Sequence, residues 1–558
     1  MILVKNSHIE VTDYEWDDCA NLQYLFTMEN PQTHEYYYKA LDYDAENKIL
    51  YLPRGMNIRL IERLLKEKAV IEHSHDHYEK TGPMNINYAP KNKTQKETIK
   101  FILGAGDYEY TRPYSQLCIN LMTGKGKTYV TIASIAYLEV KSIIITSLKD
   151  WLRQWGDKLV EYTGISPKEI LFLNRRSIDR IINDDLDLSP YKFFLCTHKT
   201  ISDYASMNSW NAIATLFEKL TVGIKVFDEA HQYFDNMSKI DYYSNTKKTL
   251  YLTASPARSD MRENEIYAMY FEMVPSIELF NKEEDAKTRY ISFHFNSHPT
   301  PMQISRCRNM YGLSKPDYVK YIMDNPIFYK VAHILMNIVV EHVKGKVLML
   351  FGTNEAILEF KEWLDVNYPE YKHNIGVYYG KVAQEDRAIQ LDKKIILSNV
   401  QCAGTALDIQ NLNVTIMLAA PVKSRVTAQQ TFGRTGREGS TVENMMYIDL
   451  VDEGFKKLKE YYSYKQPVFL KYATECSRIL YRDYDLEKEY QRVMAHRKAV
   501  LATMGVTPPF TINPDYYTMP AAAYQQPISV PFTINPGFYV TGVAAYSNNA
   551  PLPFDIVL

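Results

Sequence analysis

Cysteine pairs, long apolar runs and a secretion signal are all missing from this 558-residue chain. Its six cysteines are scattered and none forms a C-x-x-C pair, so neither a zinc ribbon nor a disulfide framework is predicted. No apolar run approaches the roughly 20 residues that a membrane-spanning helix needs. The first residues, MILVKNS, lack the charged-then-apolar pattern of a signal peptide. We therefore expect a cytoplasmic protein without membrane contact, placed in the host cytoplasm if it is viral.

Net charge is also nearly absent. The chain carries 64 Lys and Arg against 66 Asp and Glu, a formal charge of −2. This excludes a molecule that is basic overall, so any surface for nucleic acid must be a local basic groove. With 46% hydrophobic and 23% charged residues, the composition is that of an ordinary globular protein. At roughly 100–200 residues per domain, three or four domains fit this length.

Patterns of apolar and polar residues divide the chain into segments. Residues 1–88 predict a small α+β accessory domain with a strand at 48–52 and a helix at 57–68, and DNA binding is one role open to it. From residue 89 onward, short apolar runs alternate with helical stretches, which is typical of parallel sheets covered by helices. We predict three segments there: an α/β domain with a connecting segment at 89–325, a second α/β domain at 326–455, and a charged helical segment at 456–503.

The last segment, 504–558, carries only two charged side chains and is rich in Pro, Tyr, Ala and Asn. It contains a near-repeat, PFTINPDYY at 509–517 and PFTINPGFY at 531–539. Two copies of an aromatic–proline motif are typical of a bivalent docking peptide that binds a protein partner. The alternative is a tail without such a partner.

Residues 123–128 (TGKGKT) follow an apolar run and precede a helical stretch, which is the context of a phosphate-binding loop. The glycines let backbone N–H groups converge on phosphates, Lys127 neutralises their charge, and Thr128 binds Mg²⁺. The alternative is a glycine-rich turn, since Leu121 stands where the longer loop pattern has its first glycine. We assign nucleotide binding to the whole segment: Thr123, Gly124, Lys125, Gly126, Lys127 and Thr128.

A second segment, 228–231 (DEAH), ends an apolar strand, at the sheet edge where open α/β sheets bind ligands. Asp228 is placed to hold Mg²⁺, and Glu229 to orient and deprotonate an attacking water. His231 completes the segment and is included among the catalytic candidates. The alternative is an ordinary acidic pair on the surface.

A third segment, 430–437 (QTFGRTGR), offers two guanidinium groups. Gln430, Arg434 and Arg437 have spacings of four and three, which place them on one face if the segment is helical. Such a face suits acidic partners or a polyphosphate. As arginine fingers, these side chains stabilise charge on the phosphoryl group and contribute roughly 10³–10⁵ in rate. Because they lie in the second α/β domain, they act when the two domains close.

In this order, the three segments resemble motifs I, II and VI of superfamily 2 helicases of the DEAH type. The resemblance is nearest to compact phage recombination and branch-migration helicases. The remaining motifs follow in the family order: an adenine-reading glutamine at Gln95, motif Ia at 146–155, motif Ib at 196–200, motif III at 252–256, motif IV at 351–353 and motif V at 404–408. Three departures are Leu121 in motif I, Ala406 in motif V and an insertion at 106–115 that follows Gln95.

The resemblance implies an α/β fold class, with two tandem RecA-like parallel-sheet domains, a small N-terminal α+β module and a Pro/aromatic-rich C-terminal tail. It implies ATP and Mg²⁺ as cofactors, and nucleic acid bound across the tops of both domains. The residue roles that it implies are backbone contacts to nucleic acid by Ser147, Thr197, Thr353 and Thr405, coupling of hydrolysis to movement by Thr253 and Ser255, and nucleotide contact by Asp408. For each hydroxyl the alternative is local turn chemistry.

The implied function is that of an ATP-dependent nucleic-acid helicase or translocase, acting as a monomer on DNA in replication or recombination. One alternative is a DEAH-type RNA helicase. Another is a weakly hydrolysing nucleic-acid-binding or virion-associated protein that keeps the fold.

Overall fold

A computed structural model of the protein divides into two units, Met1–Phe280 and Asn281–Leu558. It describes the chain to residue 502 and the segment 555–557, apart from residues 31–32, 73–76, 123, 254–260, 281, 311, 381, 406–408, 436–444, 482–487, 489–490, 493, 497 and 500–501. The repeated motif of the tail lies outside the described residues. In the part of the chain that is described, no helix is both long and apolar enough to cross a membrane.

The N-terminal module forms a small α+β layer of its own. Its elements are β1 (Ile2–Val4), β2 (His8–Thr12), α1 (Ala20–Phe26), β3 (Thr27–Glu29), β4 (Tyr36–Tyr38), β5 (Asp42–Asp44), β6 (Ile49–Pro53), α2 (Ile58–Leu65) and β7 (Ala69–Ile71), with a 3₁₀ turn at Trp16–Cys19. Five strands make a mixed sheet in the order β5-β6-β2-β1-β7, in which only β1 and β7 are parallel neighbours. The strand and helix expected near residues 50 and 60 correspond to β6 and α2.

The rest of the first unit is a parallel sheet covered by helices. Its elements are α3 (Lys93–Leu103), β8 (Gln116–Asn120), α4 (Lys127–Leu138), β9 (Ser142–Thr146), α5 (Lys149–Thr163), β10 (Ile170–Phe172), α6 (Arg175–Ile182), β11 (Phe193–Thr197), α7 (His198–Met207), α8 (Trp210–Leu220), β12 (Ile224–Phe227), α9 (Phe234–Tyr242), β13 (Lys248–Thr253), α10 (Met261–Tyr270) and β14 (Ser276–Glu278), with 3₁₀ turns at Gly106–Thr111 and Pro167–Glu169. All seven strands are parallel, in the order β10-β11-β9-β12-β13-β8-β14.

The second unit repeats this architecture. Its elements are α11 (Lys282–Asp285), β15 (Thr288–Phe295), α12 (Pro301–Arg306), β16 (Arg308–Asn309), β17 (Gly312–Leu313), α13 (Lys315–Met323), α14 (Pro326–His342), β18 (Lys346–Phe351), α15 (Asn354–Asn367), β19 (Ile375–Tyr378), α16 (Gln384–Leu391), β20 (Ile395–Asn399), α17 (Val400–Thr405), β21 (Leu412–Ala419), α18 (Arg425–Phe432), β22 (Met445–Asp452), α19 (Lys456–Tyr472), β23 (Cys476–Leu480) and β24 (Asp555–Val557), with a 3₁₀ turn at Pro369–Asn374. The strand order is β19-β20-β18-β21-β22-β15-β23-β24, again parallel throughout. Two tandem RecA-like domains with a small N-terminal module are thus confirmed.

Two of the predicted segments differ from the sequence expectation, one in its boundary and one in its secondary structure. The division at Phe280 places residues 281–325 with the second unit, because β15 pairs with β22 and β23 inside the second sheet. Residues 456–503, expected to be helical, contain the helix α19 and then the strand β23. Both differences come from strand partners that lie far apart in the sequence, which a local pattern does not reveal.

Burial on both faces of the first sheet explains its continuous apolar runs. In β9, Ile143 and Ile145 pack into the core that the sheet shares with the N-terminal module, and Ile144 packs into the core on the other face. Strands of this kind need apolar side chains at every position rather than at alternate ones.

The N-terminal module is joined to the rest of the first unit by buried polar contacts. The carbonyl of Ser7 accepts from the Gln116 side chain at 2.8 Å, and its hydroxyl accepts from the backbone N–H of Thr246 at 2.8 Å. The Tyr242 hydroxyl of α9 donates to the Ala40 carbonyl at 2.8 Å. At Gly55, an added Cβ would lie 2.3 Å from the Tyr270 carbonyl oxygen at the end of α10, so only glycine fits. The module therefore holds both α9 and α10.

A buried ion pair lies at the centre of this junction. The Lys225 ammonium of β12 is 2.6 Å from the Asp241 carboxylate of α9, and both side chains are fully buried. Tyr270 donates to the same carboxylate at 2.7 Å, and Tyr251 also donates to it. Burial lowers the pKa of Lys225 and raises that of Tyr270 well above its ordinary value. These neighbours replace the water that two charges lose when they are buried.

Replacing Asp241 with Asn leaves the Lys225 ammonium buried without its counter-charge. We expect the first unit to lose about 3–5 kcal/mol of unfolding free energy. Denaturant unfolding followed by tryptophan fluorescence measures this, because four of the five tryptophans, Trp16, Trp151, Trp155 and Trp210, lie in that unit. The exposed pair Lys199–Asp203 provides the control, and Asp203→Asn should change little. Equal effects of the two substitutions would contradict the assignment.

Candidate nucleotide site

The loop between β8 and α4 has the backbone of a phosphate-binding loop. Gly124 and Gly126 have φ of +86° and +89°, a region that favours glycine, and α4 begins directly afterwards at Lys127. The Lys127 ammonium lies 3.2 Å from the Leu121 carbonyl oxygen, which accepts a hydrogen bond from it. The Leu121 side chain is buried in the core, so its departure from glycine leaves the loop intact. The N-terminus of α4 contributes positive potential where phosphates would lie.

Gln95 lies against this loop. An added Cβ at Gly126 would lie 2.5 Å from the Gln95 side-chain nitrogen. The Gln95 carbonyl oxygen Oε1 accepts from the backbone N–H of Lys91 at 2.9 Å, and Asn92 caps the helix α3 that carries it. The insertion packs at the far end of α3, where the Thr111 hydroxyl donates to the Phe101 carbonyl at 2.7 Å. The insertion therefore leaves Gln95 beside the phosphate loop.

Asp228 follows β12 and is fixed by an indole. The Trp155 Nε1–H of α5 donates to its carboxylate at 2.8 Å. Burial and the neighbouring Glu229 charge raise the pKa of Asp228 to about 6, against the opposing influence of Trp155 and Lys127. The carboxylates of Asp228 and Glu229 therefore lie close together with a single ammonium group, that of Lys127, beside them. A divalent metal ion fits this arrangement, because it supplies the missing positive charge.

Glu229 connects the acidic segment with the phosphate loop and with motif III. Its carboxylate lies 3.4 Å from the Lys127 ammonium and 3.3 Å from the His231 ring nitrogen Nδ1. The same nitrogen lies within hydrogen-bonding distance, 3.0 Å, of the Thr253 hydroxyl at the end of β13. Glu229 has φ of +50°, which is uncommon for a residue with a side chain and is typical of functional sites. Motifs I, II and III are thus in contact within the first unit.

Thr128, in the first turn of α4, is half-buried, and Lys125 of the loop is buried. Ser147 and Thr197 follow or end strands β9 and β11, at the same sheet edge as Asp228. The Ser147 hydroxyl is buried and has no hydrogen-bond partner in the part of the chain that the structure describes. The Thr197 hydroxyl caps α7 by accepting from the Thr200 N–H at 3.1 Å.

In the second unit, Thr353 caps α15 in the same way, accepting from the Ala356 N–H at 3.2 Å. Gln430 lies buried in α18. The expectation that Gln430, Arg434 and Arg437 share one helix face is wrong for Arg434, because α18 ends at Phe432 and Arg434 lies in the following turn. That turn is held by the Thr435 hydroxyl, 2.6 Å from the Thr415 hydroxyl of β21. Several predicted residues lie outside the described part: Thr123, Ser255, Asp408, Arg437 and the side chain of Thr405.

Residues 87–258 match the protein family described as "Type III restriction enzyme, res subunit", and residues 330–439 match "Helicase conserved C-terminal domain". Together the two matches cover just over half of the 558 residues. The chain belongs to superfamily 2 of the helicases. The first matched range contains motifs I, II and III of this helicase, and the second contains motifs IV and V and the arginines of motif VI.

Similar proteins include the DNA 3'-5' helicase XPB of Mycobacterium tuberculosis, which is 27% identical over 150 residues. That match spans 27% of this helicase and 25% of the relative's own length. Among solved structures, S. cerevisiae Dbp5 bound to RNA and ADP BeF3 has a TM-score of 0.45 at 14% identity, covering 72% of this chain and 93% of that one. T4 UvsW has a TM-score of 0.33 at 16% identity, covering 86% of this chain and 99% of that one.

Trp155 is the residue of this site that sequence reasoning missed. It lies in motif Ia, but with Trp151, Leu152 and Leu159 it forms the buried face of α5, a spacing that indicates a core position. Nothing in that spacing reveals that its N–H faces a carboxylate. An indole N–H in a buried helix usually has a partner, and this is the signal that was available.

Replacing Trp155 with Phe keeps a large aromatic ring but removes the hydrogen bond that orients Asp228. We expect metal-dependent nucleotide binding to weaken by about 10–100-fold, the usual effect of losing a partner of a metal ligand. Titration with a fluorescent ATP analogue, with and without a divalent metal ion, measures the change. Trp151→Phe on the same helix is the matched control, since the Trp151 indole bonds no carboxylate of the described residues. If both variants weaken binding equally, packing rather than orientation is responsible.

Proposed function

We propose that this helicase hydrolyses ATP to unwind or remodel branched DNA in replication or recombination. The observation that carries the proposal is the contact between Lys127 and Glu229, 3.4 Å apart, with His231 joining Glu229 to Thr253. A phosphate-binding lysine, a base for water and the threonine of motif III therefore meet at one sheet edge. Cleavage of a phosphoanhydride needs this set of groups together.

Within the first unit, each group has a distinct role. The backbone N–H groups of the loop and the Lys127 ammonium bind the β- and γ-phosphates of ATP. Once Lys127 binds a phosphate, Glu229 loses that counter-charge and is available to take a proton from the attacking water. Thr128 and Asp228 hold Mg²⁺, which neutralises negative charge on the phosphates when it is bound.

The second unit supplies the remaining groups. Arg434 and Arg437, with Gln430, stabilise the charge that develops on the γ-phosphoryl group, and Asp408 contacts the nucleotide. These groups belong to a different unit from the phosphate loop, so hydrolysis depends on closure of the two units. Repeated closure and reopening moves the protein along a strand.

The protein binds the sugar-phosphate backbone of the nucleic acid. The contacts come from Ser147 and Thr197 in the first unit and from Thr353 and Thr405 in the second. Since Thr197 and Thr353 use their hydroxyls to cap α7 and α15, their contribution is the N-terminus of the helix rather than the hydroxyl. Such contacts carry no base information, and binding depends on salt more than on sequence. Thr253 and Ser255 couple hydrolysis to movement.

DNA is the substrate that the observations favour. The motif VI pattern Q-x-x-G-R-x-x-R and the Thr-Ala-Ser of motif III resemble those of DNA-directed members, and the XPB relative is named a DNA helicase. The competing functions are a DEAH-type RNA helicase and a weakly hydrolysing nucleic-acid-binding or virion-associated protein. We further propose that the protein acts as a monomer in the cytoplasm, and that the repeated tail motif binds a protein partner.

Glu229→Gln removes the proposed base and keeps the shape of the side chain. We expect ATP hydrolysis to fall by about 10²–10⁴, while ATP is still bound. The measurement is steady-state ATPase activity with and without single-stranded DNA, with Glu161→Gln on the exposed face of α5 as the control. Slow hydrolysis that is indifferent to DNA in the unaltered protein would favour the binding-protein alternative.

Unwinding of forks, four-way junctions, R-loops and RNA duplexes by the full chain separates the candidate substrates. We expect ATP-dependent activity on branched DNA and little on RNA duplexes of equal length. A helicase more active on RNA duplexes would replace the DNA assignment with the DEAH-type RNA alternative.

A further inference from the structure

Four aromatic rings form a column beside the DEAH segment. Tyr233 lies on His198 with ring centroids 6.1 Å apart, His198 lies on Phe227 at 5.6 Å, and Phe227 lies on Tyr251 at 5.7 Å. The interplanar angles are 26°, 18° and 7°, so the rings are stacked. The column begins at Tyr233, which is 54% exposed, and ends at Tyr251, which is fully buried.

His198 is the ring that connects two functional segments. It is the first residue of α7 and directly follows Thr197, the cap residue proposed to bind nucleic acid. Its side chain is buried and neither ring nitrogen has a hydrogen-bond partner among the described residues, where the stacked rings are its neighbours. Burial lowers the pKa of His198 to about 4, and the ring is therefore neutral at neutral pH. In this position the imidazole acts as a flat aromatic surface.

Tyr233 connects the His198 ring with the DEAH segment. It has φ of +52° and Glu229 has φ of +50°, so two strained residues bracket the end of the DEAH segment. Conformations of this kind cost about 1–3 kcal/mol and persist where surrounding contacts fix them. The backbone N–H of Gln232, between the two, donates to the Glu229 carbonyl at 2.7 Å. A shift of Tyr233 therefore alters the backbone that carries Glu229.

The opposite end of the DEAH segment has a similar contact. Trp155 of α5 donates to Asp228, and α5 begins two residues after Ser147, the other proposed nucleic-acid contact of this unit. Each of the two helices that follow a proposed nucleic-acid contact thus places one aromatic side chain against the DEAH segment, Trp155 on Asp228 itself and His198 on the flanking residues Phe227 and Tyr233. This arrangement suits a role of His198 in coupling α7 to the DEAH segment better than a role in core packing alone.

We propose that His198 is a positioning residue that couples nucleic-acid binding at the first turn of α7 to the placement of Glu229, through its stack on Tyr233. The inference rests on the proposed function, because it needs an ATPase that nucleic acid stimulates. Binding at the N-terminus of α7 moves His198, the stacked Tyr233 follows, and Glu229 reaches the position in which it accepts a proton from water.

The test compares ring-keeping with ring-removing variants of the full chain. His198→Phe keeps a neutral aromatic ring in the column, whereas His198→Leu removes it. Tyr233→Ala breaks the stack from its exposed side and keeps the test valid where a change in the core prevents folding. His333→Leu is the matched control, because His333 is also buried among aromatic rings but belongs to the second unit.

The readout is the ratio of ATPase rates with and without a saturating single-stranded oligonucleotide. Oligonucleotide affinity is measured by fluorescence anisotropy, and stability by thermal unfolding. We expect His198→Leu and Tyr233→Ala to lower the ratio by about tenfold, within the usual range of coupling between sites, while the oligonucleotide still binds. His198→Phe and His333→Leu should keep the ratio of the unaltered protein.

Three outcomes would overturn the proposal: an unchanged ratio in Tyr233→Ala, equal losses in His198→Phe and His198→Leu, or a comparable loss in His333→Leu. A different result marks failure of the proposed function itself, namely that no nucleic acid stimulates the unaltered protein. The two failures are therefore distinguishable in the same set of measurements.

Discussion

The ion pair between Lys225 and Asp241 joins the two flanks of the DEAH segment. Lys225 lies in the strand that leads into the segment, and Asp241 lies in the helix that leaves it. A buried pair is stable only where its neighbours supply hydrogen bonds. Here Gln116 comes from the strand before the phosphate loop, and Tyr251 from the strand before motif III. One network therefore sets the positions of all three strands that carry the catalytic segments.

Much of the fold can be predicted from the sequence, because short local patterns indicate its strands and its phosphate loop. Strands such as β9 and β12 are short apolar runs, and the phosphate loop lies between a strand and a helix as its pattern requires. The contact of Lys127 with Glu229 agrees with the expected position of both segments at the carboxyl ends of parallel strands, although β13 lies between β8 and β12. What remained hidden depends on partners that are distant in sequence. β15 joins the second sheet through β22. Lys225 is a charged residue in a buried strand, and only the structure shows that Asp241 is its partner.

Helix ends explain the differences at the remaining sites. Arg434 leaves the line of α18 because Gly433 ends that helix, and the turn is then fixed by Thr415 and Thr435. Thr197 and Thr353 show the opposite effect: their hydroxyls begin helices, which the family motifs alone do not indicate. In both units a strand, a capping residue and a helix follow one another at the edge of the sheet. This recurrence supports the proposal that the two halves hold a phosphate backbone by similar means.

Gly55 ties the evolutionary history of the module to that of its neighbour. Any larger side chain there collides with the main chain at the end of α10, where Tyr270 packs edge-on against Tyr251 of β13, the strand that carries Thr253. A module acquired from another lineage would fit only with matching versions of α9 and α10. Domains on flexible linkers are shuffled freely between genes, whereas these two pieces are expected to be inherited as one.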